Sequence, residues 1–483
     1  MHQHGLTTQD TSGPSPKKTL RYFHGRPPGM KVLFVVAELT PLASSGGLGD
    51  AIAGLAHAPR RRDIDVTVLL PRYQFLTDLG NVGPGVGPAD SIYSFESEGV
   101  TVWLVDDPES FDRPGIYGPE PGAAYEDEWR RWGRFCQVAA AVGADFDILH
   151  LHDAQTAGTA LLSRRPTILT LHNAAYPVLG PAEEALGLFA EAANAAELLE
   201  WFGQANYLKA GVLAADQVTT VSPGYARQIA EDPAVSSGLN EHLASLLHPV
   251  VGIMNGIDTD RFDPATDLAI PEPFTSEDLS GRARARTGLL EASGLDGDGV
   301  IFGMVGRMTG QKGLELLDPI LSGLVEEGMR LVAVGNGDED QRVDAWVEDY
   351  PRVVWHAPYS EELARLVWAG SDSYLMPSLF EPGGLGNLYA MRYGAPPVVR
   401  ATGGLATSVV DPKDDPAGAN GFSFQDYDSD ELAGTVRRAM ATFRSEPASW
   451  AELQRHGMER NWGWDPSAGQ YLALYNEVLQ RRE

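Results

Sequence analysis

From residue 30 onward the chain alternates short, β-branched apolar runs with longer stretches whose apolar residues recur at helical spacing. Residues 31–37, 66–70, 100–105, 147–151, 167–171 and 217–221 predict strands. They lack polar alternation, which is how a parallel strand reads when helices cover both faces of its sheet. A second series follows at 300–305, 329–334, 353–355, 373–376 and 397–399. Between the two series, residues 258–280 are rich in Pro and Asp and only weakly patterned. The pattern predicts two Rossmann-like α/β domains, residues 30–255 and 256–460, followed by a helical, aromatic segment within 461–483. Open α/β sheets bind ligands beyond the C-terminal ends of their strands, so the site belongs in the cleft between the domains. Residues 1–29 are polar, with Gly, Pro, Ser and Lys and no apolar centre. They read as a disordered extension and not as a secretory signal.

Composition narrows the partners. Among 483 residues, 66 Asp and Glu face 37 Lys and Arg, for a net charge of −29. A nucleic-acid binder shows a basic stripe, and an anionic membrane surface repels such a chain, so neither is an expected partner. No apolar run approaches the ~18 residues of a membrane span. The one cysteine, Cys136, excludes an internal disulfide and sits in a helical pattern, as a buried structural thiol does. A cytoplasmic location is expected, and oligomeric state leaves no mark on the sequence.

The candidate chemistry gathers at strand ends. Ser44-Ser45-Gly46-Gly47-Leu48-Gly49-Asp50 joins the first strand to a helix, where backbone N–H groups can meet a diphosphate or a sugar. It lacks the dinucleotide fingerprint, which makes a nicotinamide oxidoreductase a poor reading. His150-Leu151-His152-Asp153 and His172-Asn173 close two further strands and point to a common cleft. For each histidine a satisfied structural role stays open, and a metal site lacks a third ligand at informative spacing. In the second half, Arg307 and Lys312 bracket a glycine-containing turn, as a clamp for a diphosphate leaving group requires. Glu381-Pro382-Gly383-Gly384-Leu385 exposes a carboxylate and backbone N–H groups to sugar hydroxyls. Thr402-Gly403-Gly404-Leu405 offers a second backbone nest for phosphate.

These stretches, in this order, resemble the bacterial glycogen synthase and plant starch synthase family across roughly residues 30–480. The carriers are GGLGD at 46–50, HLHD at 150–153, LHNAAY at 171–176 and LKAGVLAADQVTTVSPGYA at 208–226. GIMNGID at 252–258, GRMTGQKG at 306–313, SLFEPGGLGNLYAMRYG at 378–394 and TGGL at 402–405 complete the set. The resemblance implies a GT-B fold, two Rossmann-like domains across a deep cleft with a C-terminal helix crossing back to the first. It implies retaining transfer of glucose from a nucleotide diphosphate sugar to the non-reducing end of an α-glucan, with no metal and no cofactor beyond the donor substrate. Carried over by position, Arg307 and Lys312 stabilise the departing diphosphate. Glu381 with Gly384 and Leu385 holds the donor sugar. Gly46, Gly47 and the Thr402, Gly403, Gly404, Leu405 turn meet phosphates. His172 and Asp153 flank the reacting sugar, Asn255 lies at the cleft floor, and Tyr359 lies beneath the base.

The departures from the family pattern are equally specific. Ser44 stands where the family has a phosphate-binding Lys, and Ala154 and Gln155 replace a Trp and a His. Gly383 replaces a Cys, Ala401 an Arg, and Gly224 a Thr. A charge-assisted contact is worth ~1.5–3 kcal/mol, so the loss of two predicts an altered donor or acceptor. The expectation drawn from this is a specialised transferase. It would pass a hexosyl, amino-deoxyhexosyl or cyclitol (pseudo-glycosyl) unit to a short maltooligosaccharide or related pseudo-oligosaccharide, in metabolism of the acarbose type. The alternatives are a housekeeping ADP-glucose-dependent glycogen synthase and an inert carbohydrate-binding relative.

Overall fold

The computed structural model describes residues 29–58, 64–77, 81–119 and 123–482. The expected disordered extension, apart from Gly29, lies outside the described residues. Every strand predicted above is present, in two separate sheets.

The first sheet has nine strands in the order Val251–Gly252, Gln217–Thr220, Thr167–Leu171, Ile148–His152, Met30–Val35, Ile64–Pro71, Val100–Asp106, Ser91–Ser97, Asn81–Pro84. The first seven run parallel and the last two antiparallel. That antiparallel edge escaped the sequence reading because Ser91–Ser97 is half-exposed along its length and carries no continuous apolar run. The second sheet has six parallel strands in the order Val353–His356, Met329–Val334, Val300–Val305, Ser373–Met376, Pro397–Arg400, Phe422–Phe424. Each sheet is buried between helices, which is why its strands read as unbroken apolar runs.

Helix Glu128–Val142 fills one face of the first domain with Trp132, Phe135 and Cys136, all fully buried. Burial pushes the Cys136 thiol up to about 12, so it stays protonated and packs as an apolar group. The last helix, Asp465–Arg482, packs on the first domain although it follows the second in sequence. Tyr475 OH lies 2.8 Å from His150 Nδ1, and Arg482 pairs with Asp216 at 2.7 Å. Trp464 lies against Gly54, where an added Cβ would fall 1.9 Å from the indole nitrogen. No helix among the described residues is long and apolar enough to cross a membrane.

The candidate active site between the two domains

The second domain supplies cations and a carboxylate from neighbouring strand ends. After strand Val300–Val305 the chain turns through Gly313, whose φ of +70° and whose contact with Pro377 O, 2.2 Å from an added Cβ, require glycine. This turn sets Lys312 Nζ 2.6 Å from Glu381 Oε2. Ser378 Oγ donates to the same oxygen at 3.0 Å. Arg307 lines a small hollow with Lys312, Gly306, Met376 and Pro377, is exposed, and its guanidinium has no hydrogen-bond or ion-pair partner among the described residues. One cation is held and the other is free for an anion.

The two glycine-rich loops interlock through backbone. Gly404 N donates to Glu381 O at 2.8 Å. An added Cβ on Gly403 would sit 2.1 Å from Glu381 O, and one on Gly404 2.3 Å from Gly383 O. Gly384, at φ +72°, starts helix Leu385–Arg392 and leaves the N–H groups of that turn at the positive helix end. Arg400 gives its guanidinium to Leu379 O and Gln425 O, which ties the strand end behind Ala401 to the Glu381 loop.

The first domain supplies His172 and Asp153. Asp153 has φ +61°, a strained value for a non-glycine residue and one that recurs at functional sites. Its Oδ1 accepts from His172 N at 2.6 Å and Asn173 N at 3.2 Å. Burial outweighs those bonds and raises its carboxyl to about 7. His172 Nε2 lies 3.0 Å from His152 Nδ1, and burial lowers His172 to about 3, so the imidazole is neutral. His150 is structural, held by Tyr475 and by Thr170 Oγ1 at 2.6 Å. Among the described residues no three His, Cys, Asp or Glu side chains gather as a metal-binding group.

The domains meet at these loops. Ser222 Oγ donates to Pro382 O at 2.7 Å, and Gln228 Nε2 donates to Thr402 Oγ1 at 2.7 Å. Gly224 lies so close to the Gly403 carbonyl that an added Cβ would fall 2.1 Å from its oxygen. Leu385 Cδ1 lies 3.4 Å from the position of an added Cβ on Gly47, so the two helix starts of the cleft face each other. Asn255 Nδ2 lies 3.3 Å from the corresponding position on Gly383, on the same floor. Tyr359 is half-exposed, its hydroxyl pushed up to about 12 by partial burial and by the nearby carboxylates of Glu361 and Asp50. Asp50 belongs to the first domain, so Tyr359 also faces the cleft.

The departures fare unequally. Ala154 packs with the apolar core of the first domain and Gln155 is buried beside Asp153. Ser44 folds onto its own loop, its Oγ donating to Gly46 O at 3.1 Å. Gly224 removes a side chain from the interdomain contact. A side chain at Gly383 would press on Asn255 and on Val221, 3.5 Å from the added Cβ.

The sequence reading missed Glu38. This carboxylate is 2 % exposed, yet its oxygens accept from Ser45 N at 2.7 Å, Ser45 Oγ at 2.9 Å and Tyr117 OH at 2.6 Å. It holds the Ser44–Gly47 loop from beneath. An acid directly ending an all-apolar buried strand was the available signal. Ser222 and Gln228 were missed as well, because an interdomain bond has no local pattern.

Residues 31–245 match the starch synthase catalytic domain family, and residues 286–452 match the glycosyl transferases group 1 family. The chain is 42 % identical to a glycogen synthase of Alkalilimnicola ehrlichii, with 93 % of this chain and 99 % of the relative covered. It is 40 % identical to a glycogen synthase of Halorhodospira halophila, covering 94 % and 100 %. The catalytic domain of starch synthase IV from Arabidopsis thaliana, bound to ADP and acarbose, superposes with a TM-score of 0.84 at 29 % identity, covering 94 % of this chain and 100 % of that one. Sucrose-phosphate synthase from Thermosynechococcus elongatus shares the fold, with a TM-score of 0.62 at 19 % identity over 94 % of this chain and 100 % of that one. The fold is therefore GT-B, and the chain belongs to the glycogen synthase and starch synthase family of glycosyltransferases.

Proposed function

We propose that this protein extends α-1,4-glucan, transferring glucose with retention from a nucleotide diphosphate donor, ADP-glucose first, to the non-reducing end. The observation that carries the reading is the donor grip that the second domain assembles at the interdomain cleft. Lys312 and Glu381 are paired at 2.6 Å, Arg307 is free beside them, and the Thr402–Leu405 nest is locked to the Glu381 loop. Fixed cations act most strongly on charge that develops on a leaving group in a water-poor site. Arg307 and Lys312 stabilise the departing diphosphate. Glu381 and the N–H groups at Gly384 and Leu385 orient the sugar hydroxyls. His172 and Asp153 border the reacting carbon from the opposite wall. The leaving phosphate takes the acceptor's proton on the same face, so no separate protein base is invoked.

The specialised transfer expected from the departures loses much of its motive. Ala154 and Gln155 are buried packing residues. The relatives at 40–42 % identity over nearly the whole chain are glycogen synthases, which supports polymer extension over single additions of an amino-sugar or cyclitol. A free cation beside a held one also speaks for turnover over inert glucan binding.

The test is a donor panel. Purified protein is mixed with ADP-, UDP-, GDP- and dTDP-sugars, each with maltose, maltotriose or glycogen, and products are read by mass. Repeated glucosyl additions from ADP-glucose are expected. A single addition from an amino-sugar or cyclitol donor, with none from any glucose donor, would overturn the proposal in favour of the specialised reading.

A further inference from the structure

Glycosyl transfer as described uses His172 and leaves its neighbour His152 without a role. His152 ends strand Ile148–His152 and lies opposite Thr170 in register. His172, two residues beyond Thr170 and just past the strand end, therefore falls diagonally on the same face. The His152 ring is fully buried, its centroid 4.2 Å from that of His150, 5.3 Å from that of Phe34 and 5.2 Å from that of His172. Its backbone is pinned by Thr156, whose Oγ1 accepts from His152 N at 2.7 Å and donates to His152 O at 2.9 Å. Of the two ring nitrogens, Nδ1 lies 3.0 Å from His172 Nε2, and Nε2 is buried with no partner among the described residues.

Proton counting leaves two arrangements for this pair. Burial holds His150, His152 and His172 well below the usual imidazole range, so each ring is neutral and carries one N–H. The 3.0 Å contact needs one donor and one acceptor. If His172 donates from Nε2, the His152 proton sits on Nε2, a buried N–H with nothing to receive it. If His152 donates from Nδ1, its proton is used, and only a bare lone pair is left among the rings. In folded proteins a buried N–H without an acceptor is rarer than an under-used acceptor, which favours the second arrangement. The His172 proton then sits on Nδ1. That nitrogen has no partner among the described residues, but unlike His152 Nε2 it is not sealed from solvent, and His172 is partly exposed. His150 imposes no choice on the pair, because both of its nitrogens meet hydroxyls, which can give or take a proton.

We propose that His152 is a positioning residue that fixes the tautomer of His172. Its Nδ1–H donates to His172 Nε2, and His172 thereby turns an N–H, and not a lone pair, toward an oxygen of the donor sugar. The inference rests on the glycosyl-transfer reading above. The first readout is long-range 1H–15N NMR on protein labelled at histidine, with His172 identified by the signals lost in His172→Gln. Wild-type His172 should show a protonated Nδ1 and a bare Nε2. A protonated Nε2, or a mixture of the two forms, would overturn the proposal. His152→Asn keeps an amide N–H near the place of Nδ1 and should keep both the tautomer and the turnover. His152→Ala removes the donor and should give mixed tautomers, with kcat/KM for ADP-glucose down about 3- to 10-fold, the worth of one neutral hydrogen bond. ADP, which has no sugar, should bind both variants as it binds wild type in calorimetry. Loss of ADP binding in step with kcat/KM, or an Asn variant as poor as the Ala variant, would reduce His152 to packing and overturn the proposal. The NMR needs no turnover, so a failed donor panel and a wrong tautomer are separate results.

Discussion

Replacing Lys312 by Ala removes one partner of a 2.6 Å pair whose side chains are 22 % and 9 % exposed. Breaking a fully buried pair costs about 3–5 kcal/mol, because the remaining charge is left without compensation. Here Lys312 is partly solvated and Ser378 still donates to Glu381, so about 2 kcal/mol is the expected loss. For a domain of this size that is about 4–8 °C in Tm. The catalytic effect has a different origin. Lys312 meets charge that grows on the leaving diphosphate, and removing such a group lowers kcat by a factor on the order of 100 or more. Pairing the variant with Glu381→Gln separates the two. Glutamine leaves no buried charge to compensate, so the double variant should regain most of the lost Tm while kcat stays low. Scanning calorimetry and initial rates with ADP-glucose and glycogen on the four proteins close the cycle. A Lys312→Ala protein with more than a tenth of wild-type kcat, or a double variant that recovers turnover, would refute the reasoning.

Ser44→Lys returns the cation that the family carries on this loop, and one charge-assisted phosphate contact should raise kcat/KM for ADP-glucose by about 10-fold or more. An unchanged kcat/KM would mean that the cleft compensates elsewhere. Gly224→Ala places a Cβ against the Gly403 carbonyl, so the domains cannot close fully. We expect a lower kcat and a larger radius of gyration in small-angle scattering with ADP present, and wild-type values of both would sink the idea. Asp153, with its folded pKa raised from 3.8 to about 7, binds a proton in the folded state that the unfolded chain releases between those values. Its contribution to stability is therefore present below about pH 4 and lost as pH rises through 7. Asp153→Asn should gain stability over wild type, more at pH 8 than at pH 5, in urea unfolding. A gain independent of pH would contradict the assignment.

Much of the molecule was legible in the chain because its determinants are local. Buried parallel strands show as unbroken apolar runs, so 300–305 and 329–334 were placed to the residue. Glycines at Gly46, Gly313 and Gly403 mark strand-to-loop turns whatever the rest of the fold does. Arg307, Lys312 and Glu381 could be grouped in advance because they lie on the loops that leave two strands of one parallel sheet, and such ends converge. The hairpin edge at Ser91–Ser97 was not legible, since half-exposed strands carry a diluted pattern.

The tertiary structure alone decided which charged and polar groups are used and which are spent. It buried Ala154 and Gln155, because burial is a property of the assembled core and not of the motif. It paired Lys312 with Glu381 and left the Arg307 guanidinium without a partner among the described residues. It revealed Glu38 beneath the first glycine loop, and Ser222 and Gln228 fastening one domain to the donor loops of the other. Residues far apart in sequence set these distances and the local dielectric, and neither is written in the spacing of any single motif. The sequence alone determined the order of strands, the turns and the charges available at them. Only the fold determined where those charges meet.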